Sequence, residues 1–250
     1  MFNSTLNRRR FSGVVFMSLS VLLLVCGCAT TGEKPLNGKS IPQSEDHNTL
    51  ANLAKSDIDR MADVQMRENT QSLRLLMTKL YKRNPRELHK STSDSVEVMV
   101  AWVFEGDHGW KFKKINEVQG TDALYLAFSP DYQGDRVLPL IVGLQTMLLK
   151  AHGGKSDFYM TDNLDPQTIY NVARNVEIAV WKLSNARDDQ GRLFLLTNEL
   201  SDQDHNLSFE REFGKIVGRL DLFALTLSEK SQRMIARVAQ NLATALFLPF

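Results

Sequence analysis

From Asn48 onward, apolar residues recur mainly at intervals of three and four, the period of an α-helix that buries one face. Leu50, Leu53, Ile58, Met61 and Val64, then Leu73, Leu76, Met77 and Leu80, predict one amphipathic helix reaching about Arg83. Asn84-Pro85-Arg86-Glu87 ends it and opens another, with Asn84 as N-cap, Pro85 first and Glu87 third, as in a capping box. Asp94 and Glu97 repeat that signature before residues 96–104, whose alternation also fits a strand. Residues 122–129 and 137–152 are two further apolar runs, stopped by Pro130 and by Gly153-Gly154. Asp165-Pro166 opens the clearest helix, with Ile169, Val172, Ala173, Val176, Val180 and Leu183 on one face. Ile178 and Trp181 lie off that face, so this helix is expected to be central and covered from two directions.

Phe209, Phe213, Ile216, Val217, Leu220, Phe223, Ala224 and Leu227 form another stripe. Gly214 and Gly218 lie beside it, one turn apart, where a neighbouring backbone would be admitted closely. A last helix is expected from Glu229 to about Phe247, presenting Met234, Ile235, Val238, Leu242, Ala245 and Leu246 opposite Lys230, Arg233, Arg237, Gln240 and Asn241. Residues 193–196 are apolar but too short to assign. No internal repeat appears, which argues against a solenoid. The expected architecture is all-α, a single domain of about six to nine amphipathic helices over residues 48–250.

Charge adds a second constraint. The chain carries 30 basic and 29 acidic side chains, but Arg8, Arg9 and Arg10 sit in a first stretch of 27 residues without an acid. Removing those three leaves 27 basic against 29 acidic, a balance without the concentrated positive surface that nucleic acid demands. With 43% hydrophobic and 24% charged residues, disordered, collagenous and multi-span membrane chains are excluded.

Those arginines precede an apolar run over residues 14–25, interrupted only by Ser18 and Ser20. The run is shorter than the roughly 20 residues a bilayer span needs, and it suits the core of a secretory signal. Val25-Cys26-Gly27-Cys28 follows, and it resembles the bacterial lipobox, in which a small residue precedes a cysteine that is acylated and becomes the new N-terminus. Cys26 is unusual in its slot. The resemblance implies a signal peptide over 1–27, cleavage between Gly27 and Cys28, and lipid, palmitate among its acyl chains, on Cys28. Arg8-Arg9-Arg10-Phe11 also resembles a twin-arginine signal, although an ordinary arginine-rich Sec signal accounts for it. Ala29, standing where Asp would retain a lipoprotein in the inner membrane, implies the outer membrane, with the domain facing the periplasm. The only two cysteines lie in this region, so the mature domain is expected to hold together without a disulfide. Residues 28–47, rich in Gly, Pro, Ser and Thr, read as a flexible linker, about 25 Å end to end if relaxed.

Chemistry is harder to find. His47, His89, His108, His152 and His205 have no second ligand at metal spacing and read as solvated polar residues, so no metal and no cofactor is expected. Gly153-Gly154-Lys155-Ser156 looks like the tail of a phosphate loop, but Leu149 occupies the first glycine position, and the segment reads as a helix C-cap. No Gly-x-Ser-x-Gly occurs. A lysozyme-like hydrolase would need a buried glutamate, for which Glu105 and Glu199 are the nearest substitutes.

Three groups remain. Trp102, His108 and Trp110 surround a glycine-containing turn and are either a ligand lip or core aromatics. Asp122, Asp131 and Asp135 with Tyr125 and Tyr132 read mainly as caps and turn formers. Arg174 and Glu177, three apart on the clearest helix, are expected to form a structural ion pair if buried.

Residues 120–129, Asn206-Leu207-Ser208-Phe209-Glu210-Arg211 and the final Ala245-Leu246-Phe247-Leu248-Pro249-Phe250 resemble a family of uncharacterised proteobacterial lipoproteins, a resemblance that implies no catalytic residue. The expected role is a non-catalytic adaptor or envelope-assembly factor, bound to the membrane through Cys28 and to another envelope protein. The alternatives are a helical carrier of an apolar small molecule or lipid and, less favoured, the lysozyme-like hydrolase.

Overall fold

The computed structural model describes residues 57–154, 164–200, 205–231, 235 and 246–250. The expected signal peptide with Gly27 and Cys28, the expected linker and residues 48–56 of the first expected helix lie outside the described residues.

The expected helical period becomes seven α-helices among the described residues: α1 (Asp57–Arg83), α2 (Pro85–Ser91), α3 (Val96–Glu105), α4 (Gly120–Phe128), α5 (Val137–Ala151), α6 (Pro166–Asn185) and α7 (Ser208–Ser231). A 3₁₀ turn (Lys113–Ile115) and a two-residue antiparallel pair, β1 (Glu199–Leu200) with β2 (His205–Asn206), are the minor elements. The architecture is all-α.

Residues 96–105 are helical despite their alternation because Val96, Met99, Val100 and Val103 meet the core at helical spacing. The cap of α3 is Ser95, whose hydroxyl accepts the Val98 N–H, not Asp94, whose carboxylate accepts from the Thr92 hydroxyl. The box expected at Asn84 and Glu87 also fails to form. The Asn84 amide instead binds the Leu196 backbone on both sides, and Glu87 accepts the Arg136 N–H at 2.7 Å. At Asn84 and Glu87 long-range partners outcompete the local cap. Asp165 and Pro166 open α6 as expected, the carboxylate accepting the Thr168 N–H.

The centre of the fold is α5, a position the sequence reading had given to α6. All of α5 except Leu149 and Lys150 is buried, as befits a helix apolar around its whole circumference. It packs on α4, α1 and α6, while α6 packs most extensively on α7. Ile178 is buried away from the main face of α6, which is covered from two sides as expected. The close backbone approach lies at Gly143 rather than Gly214 or Gly218. A β-carbon at Gly143 would sit 2.8 Å from the Gly120 carbonyl oxygen and from Leu124, whereas Gly214 and Gly218 face open space.

Asp135 and Arg136 tie the helices together where α5 begins. Asp135 accepts the Val137 and Leu138 N–H groups, the Tyr81 hydroxyl at 2.6 Å and the Ser91 hydroxyl at 2.7 Å. Arg136 donates to the carbonyls of Ala127, Ser129 and Tyr132 and lies 3.9 Å from the centroid of Phe194. These groups satisfy the exposed backbone ends of α4 and α5. At its other end α5 closes in a Schellman motif, with Gly154 N–H donating to Leu149 O, Gly153 N–H to Lys150 O, and both glycines at positive φ.

The expected last helix is absorbed in part: α7 runs through to Ser231. Of the remainder, 232–234 and 236–245 lie outside the described residues, and Leu246 and Phe247 are not helical but belong to a strap over 246–250.

Candidate functional site

Trp102, His108 and Trp110 meet at the end of α3. The His108 ring lies 5.8 Å from Trp102, 5.9 Å from Trp110 and 4.1 Å from Phe112, centroid to centroid. Its Nδ1 accepts the Trp110 N–H at 3.1 Å, so Nε2 carries the proton and donates to the Trp102 carbonyl, also at 3.1 Å. Phe104 adds an edge contact to Trp110 at 5.3 Å. Of the three, Trp102 is 47% exposed and His108 and Trp110 are half-buried against the core residue Phe112, so none is a core aromatic itself.

Trp110 itself is held at φ 61°, directly after Gly109 at 57°. A bulky side chain in the left-handed region is a true outlier, sustained only when its surroundings over-determine it. Here Gln119 Nε2 donates to the carbonyls of both Gly109 and Trp110 at 3.1 Å, and His108 holds the intervening N–H.

Gly109 and Trp110 form one wall of an open groove of about 890 Å³. Gln119 and the first residues of α4, Gly120, Thr121 and Asp122, form a second. The last turns of α5 supply Thr146, Leu149 and Lys150, the glycines of its C-cap follow, and Pro249 and Phe250 close the groove. Thr146 fixes the α4–α5 corner by accepting the Gly120 N–H at 2.7 Å and donating to Val142 O at 2.6 Å. The lining mixes a cation, an anion and hydroxyls with aromatic surface.

Arg174 and Glu177 lie elsewhere, in the ion pair expected of them. Arg174 Nη1 is 3.1 Å from Glu177, and Nη2 donates to both oxygens of Asp221 at 2.7 and 2.6 Å. Burial raises the Glu177 carboxyl above the usual range, opposed by Arg174 and assisted by Asp221. The triad braces α6 against α7 and does not line the groove. Asp221, its strongest partner, was missed because nothing local marks a polar residue 47 positions away as the contact.

Glu105, one of the two substitutes for a buried acid, is exposed at the end of α3 and pairs with Arg74. The carboxyl of Asp135 is raised by burial, partly offset by its hydrogen bonds, but it is spent on capping α5. His152 overturns the expectation of a solvated residue. It is fully buried, stacked at 5.7 Å on Phe223, with Nε2 2.8 Å from Gln65 Oε1 and Nδ1 2.8 Å from Leu148 O. Among the described residues no three His, Cys, Asp or Glu side chains are placed to hold a metal ion, and no helix is long and apolar enough to cross a membrane.

No protein-family model, curated protein or solved structure matches this chain.

Proposed function

We propose that this protein is a non-catalytic adaptor of the cell envelope, anchored to the outer membrane by lipid on Cys28 and facing the periplasm, whose helical domain engages another envelope protein through the groove beside Trp110. The observation that carries the reading is the strained backbone of Trp110 at the groove's edge. A large aromatic kept in the left-handed region costs about 1–3 kcal/mol, and such strain concentrates at binding clamps. The groove is open and mixed in polarity, as suits a segment of a partner protein. An apolar carrier calls instead for an enclosed, mainly apolar cavity. The described carboxyls raised by burial, Asp135 and Glu177, are committed to a helix cap and an ion triad, which weighs against the hydrolase reading.

A photo-crosslinking residue at Thr121, inside the groove, tests this against one at Arg86, exposed on α2. In intact cells Thr121 should yield a discrete adduct with an envelope protein, sharply reduced by Trp110→Ala, in material that fractionates with the outer membrane. Identical adducts from Arg86, or none from Thr121, would refute the reading.

A further inference from the structure

Residues 246–250 cross α6 and α4 as a strap outside any helix or strand, and the way α6 holds them is specific. Gln167, Asn171 and Asn175 stand four apart on one face of α6. Asn175, fully buried, binds Leu248 at two points, its Oδ1 accepting the Leu248 N–H at 2.6 Å and its Nδ2 donating to Leu248 O at 2.9 Å. Asn171 Nδ2 donates to Pro249 O at 2.8 Å, and Gln167 orients Asn171 by donating to its Oδ1 at 2.8 Å. The Tyr125 hydroxyl accepts the Phe247 N–H at 3.3 Å. Each of these contacts to the strap reads main chain, so any extended segment satisfies them.

Side chains supply two anchors three positions apart. Phe247 is buried edge-on to Tyr125 at 5.1 Å, with Lys182 Nζ 5.8 Å from its ring. Phe250 lies over Gly120, where a β-carbon would come within 2.9 Å of it, under Lys150 Nζ at 4.8 Å. Gly120, at φ 57°, therefore gives the ring a seat free of any side chain, and a β-carbon there would push the ring aside. Between the anchors Pro249 is exposed, and Leu246 before them is 68% exposed. The strap belongs to no helix or sheet, so releasing it breaks its bonds to Asn171, Asn175 and Tyr125 but no helical or sheet hydrogen bond.

We propose that the Asn171–Asn175 ladder and its two aromatic sockets are a receptor site for an extended partner segment with aromatic residues three apart, which the 246–250 strap fills in cis and a partner's segment takes over in trans. This inference rests on the adaptor reading and names what the adaptor receives. Because Pro249 and Phe250 also wall the groove, exchange of the strap would join the groove and the ladder into one longer trough. A segment tethered in the same chain competes at about millimolar effective concentration, so the intact protein binds the partner segment weakly until the strap is weakened.

The test uses a fluorescent peptide, Ala-Leu-Phe-Leu-Pro-Phe, titrated into the full-length lipoprotein in detergent. Two strap variants are compared with the natural chain. Phe247→Ala with Phe250→Ala removes both anchors, and Leu248→Pro keeps both aromatic anchors but replaces the N–H that reaches Asn175 with a ring carbon. If the double variant fails to fold, as judged by its helical spectrum, Leu248→Pro decides. Both variants should bind the peptide at least tenfold more tightly than the natural chain. A peptide N-methylated at the second leucine, which cannot donate to Asn175, should lose at least tenfold on every protein. Equal binding to natural chain and variants, no binding to any, or indifference to N-methylation would overturn the proposal. Since the cross-linking from Thr121 is read in cells without this peptide, failure here leaves that result standing, and the two readings fail separately.

Discussion

At His152, burial and hydrogen bonding pull on the same proton in opposite directions. Both ring nitrogens face oxygens, and the neutral ring donates to only one at a time. Burial prevails over the Leu148 carbonyl and lowers the pKa from 6.5 to about 4. Across that interval the unfolded chain binds a proton that the folded chain refuses, so stability is full above pH 6.5 and is lost as the pH falls toward 4, by roughly 3 kcal/mol. Asp135 and Glu177, raised by burial, act in the opposite sense, so the informative comparison is natural chain against His152→Gln. Urea denaturation at pH 7 and pH 5 should show a loss for the natural chain that the variant largely lacks. An equal loss in both would mean that His152 does not titrate this way. His152 follows a leucine-rich run and precedes two glycines, a pattern that marks a helix end but says nothing of depth. The C-cap was therefore legible and the burial was not, because Gln65 and Phe223 arrive from distant helices. Arg174 shows the same split: Glu177, one turn along, was readable, and Asp221, on another helix, was not.

Among the elements, periodicity carried the most information. The stripes of α6, α7 and the second half of α1 became largely buried faces, because an amphipathic pattern reports an average over many side chains; in the first half of α1 the stripe failed, with Val64 exposed and Ala62, Gln65 and Met66 buried instead. Caps and glycines, which depend on single contacts, were less legible. Two of three expected caps failed: Asn84 gave way to a tertiary partner, Leu196, and Asp94 to the adjacent Ser95. The glycine assignment reversed outright, and it yields a paired prediction. Gly143→Ala places a methyl 2.8 Å from a backbone oxygen that cannot swing aside, and should destabilise by about 1–3 kcal/mol. Gly218→Ala adds a methyl in open space within a helix and should stabilise by about 0.5–1 kcal/mol. Thermal melts of the two variants should move in opposite directions. A common direction would mean that the α4–α5 contact is looser than the geometry requires.

For the whole molecule, the groove was legible only in fragments. The aromatic turn and the helix C-cap were both visible in sequence, but their meeting with Gln119, Thr146 and Phe250 is a product of topology, since the walls come from four separated segments. The expected address, by contrast, is read from consecutive residues, Val25-Cys26-Gly27-Cys28. If Cys28 is lipidated, each buried methylene adds about 0.8 kcal/mol and two chains already suffice for stable attachment, so the groove works within reach of one membrane. Cys26 and Cys28 make the anchor an internally controlled test, because they are chemically alike and two residues apart. Lipidation needs the thiol just after a small residue, which Gly27 supplies for Cys28, whereas bulky Val25 precedes Cys26. Cys28→Ser should abolish incorporation of a tagged fatty acid and leave unprocessed precursor in the inner membrane. Cys26→Ala should still take up label, be cut after Gly27 and reach the outer membrane. Label retained by Cys28→Ser, or lost by Cys26→Ala, would remove Cys28 as the point of attachment.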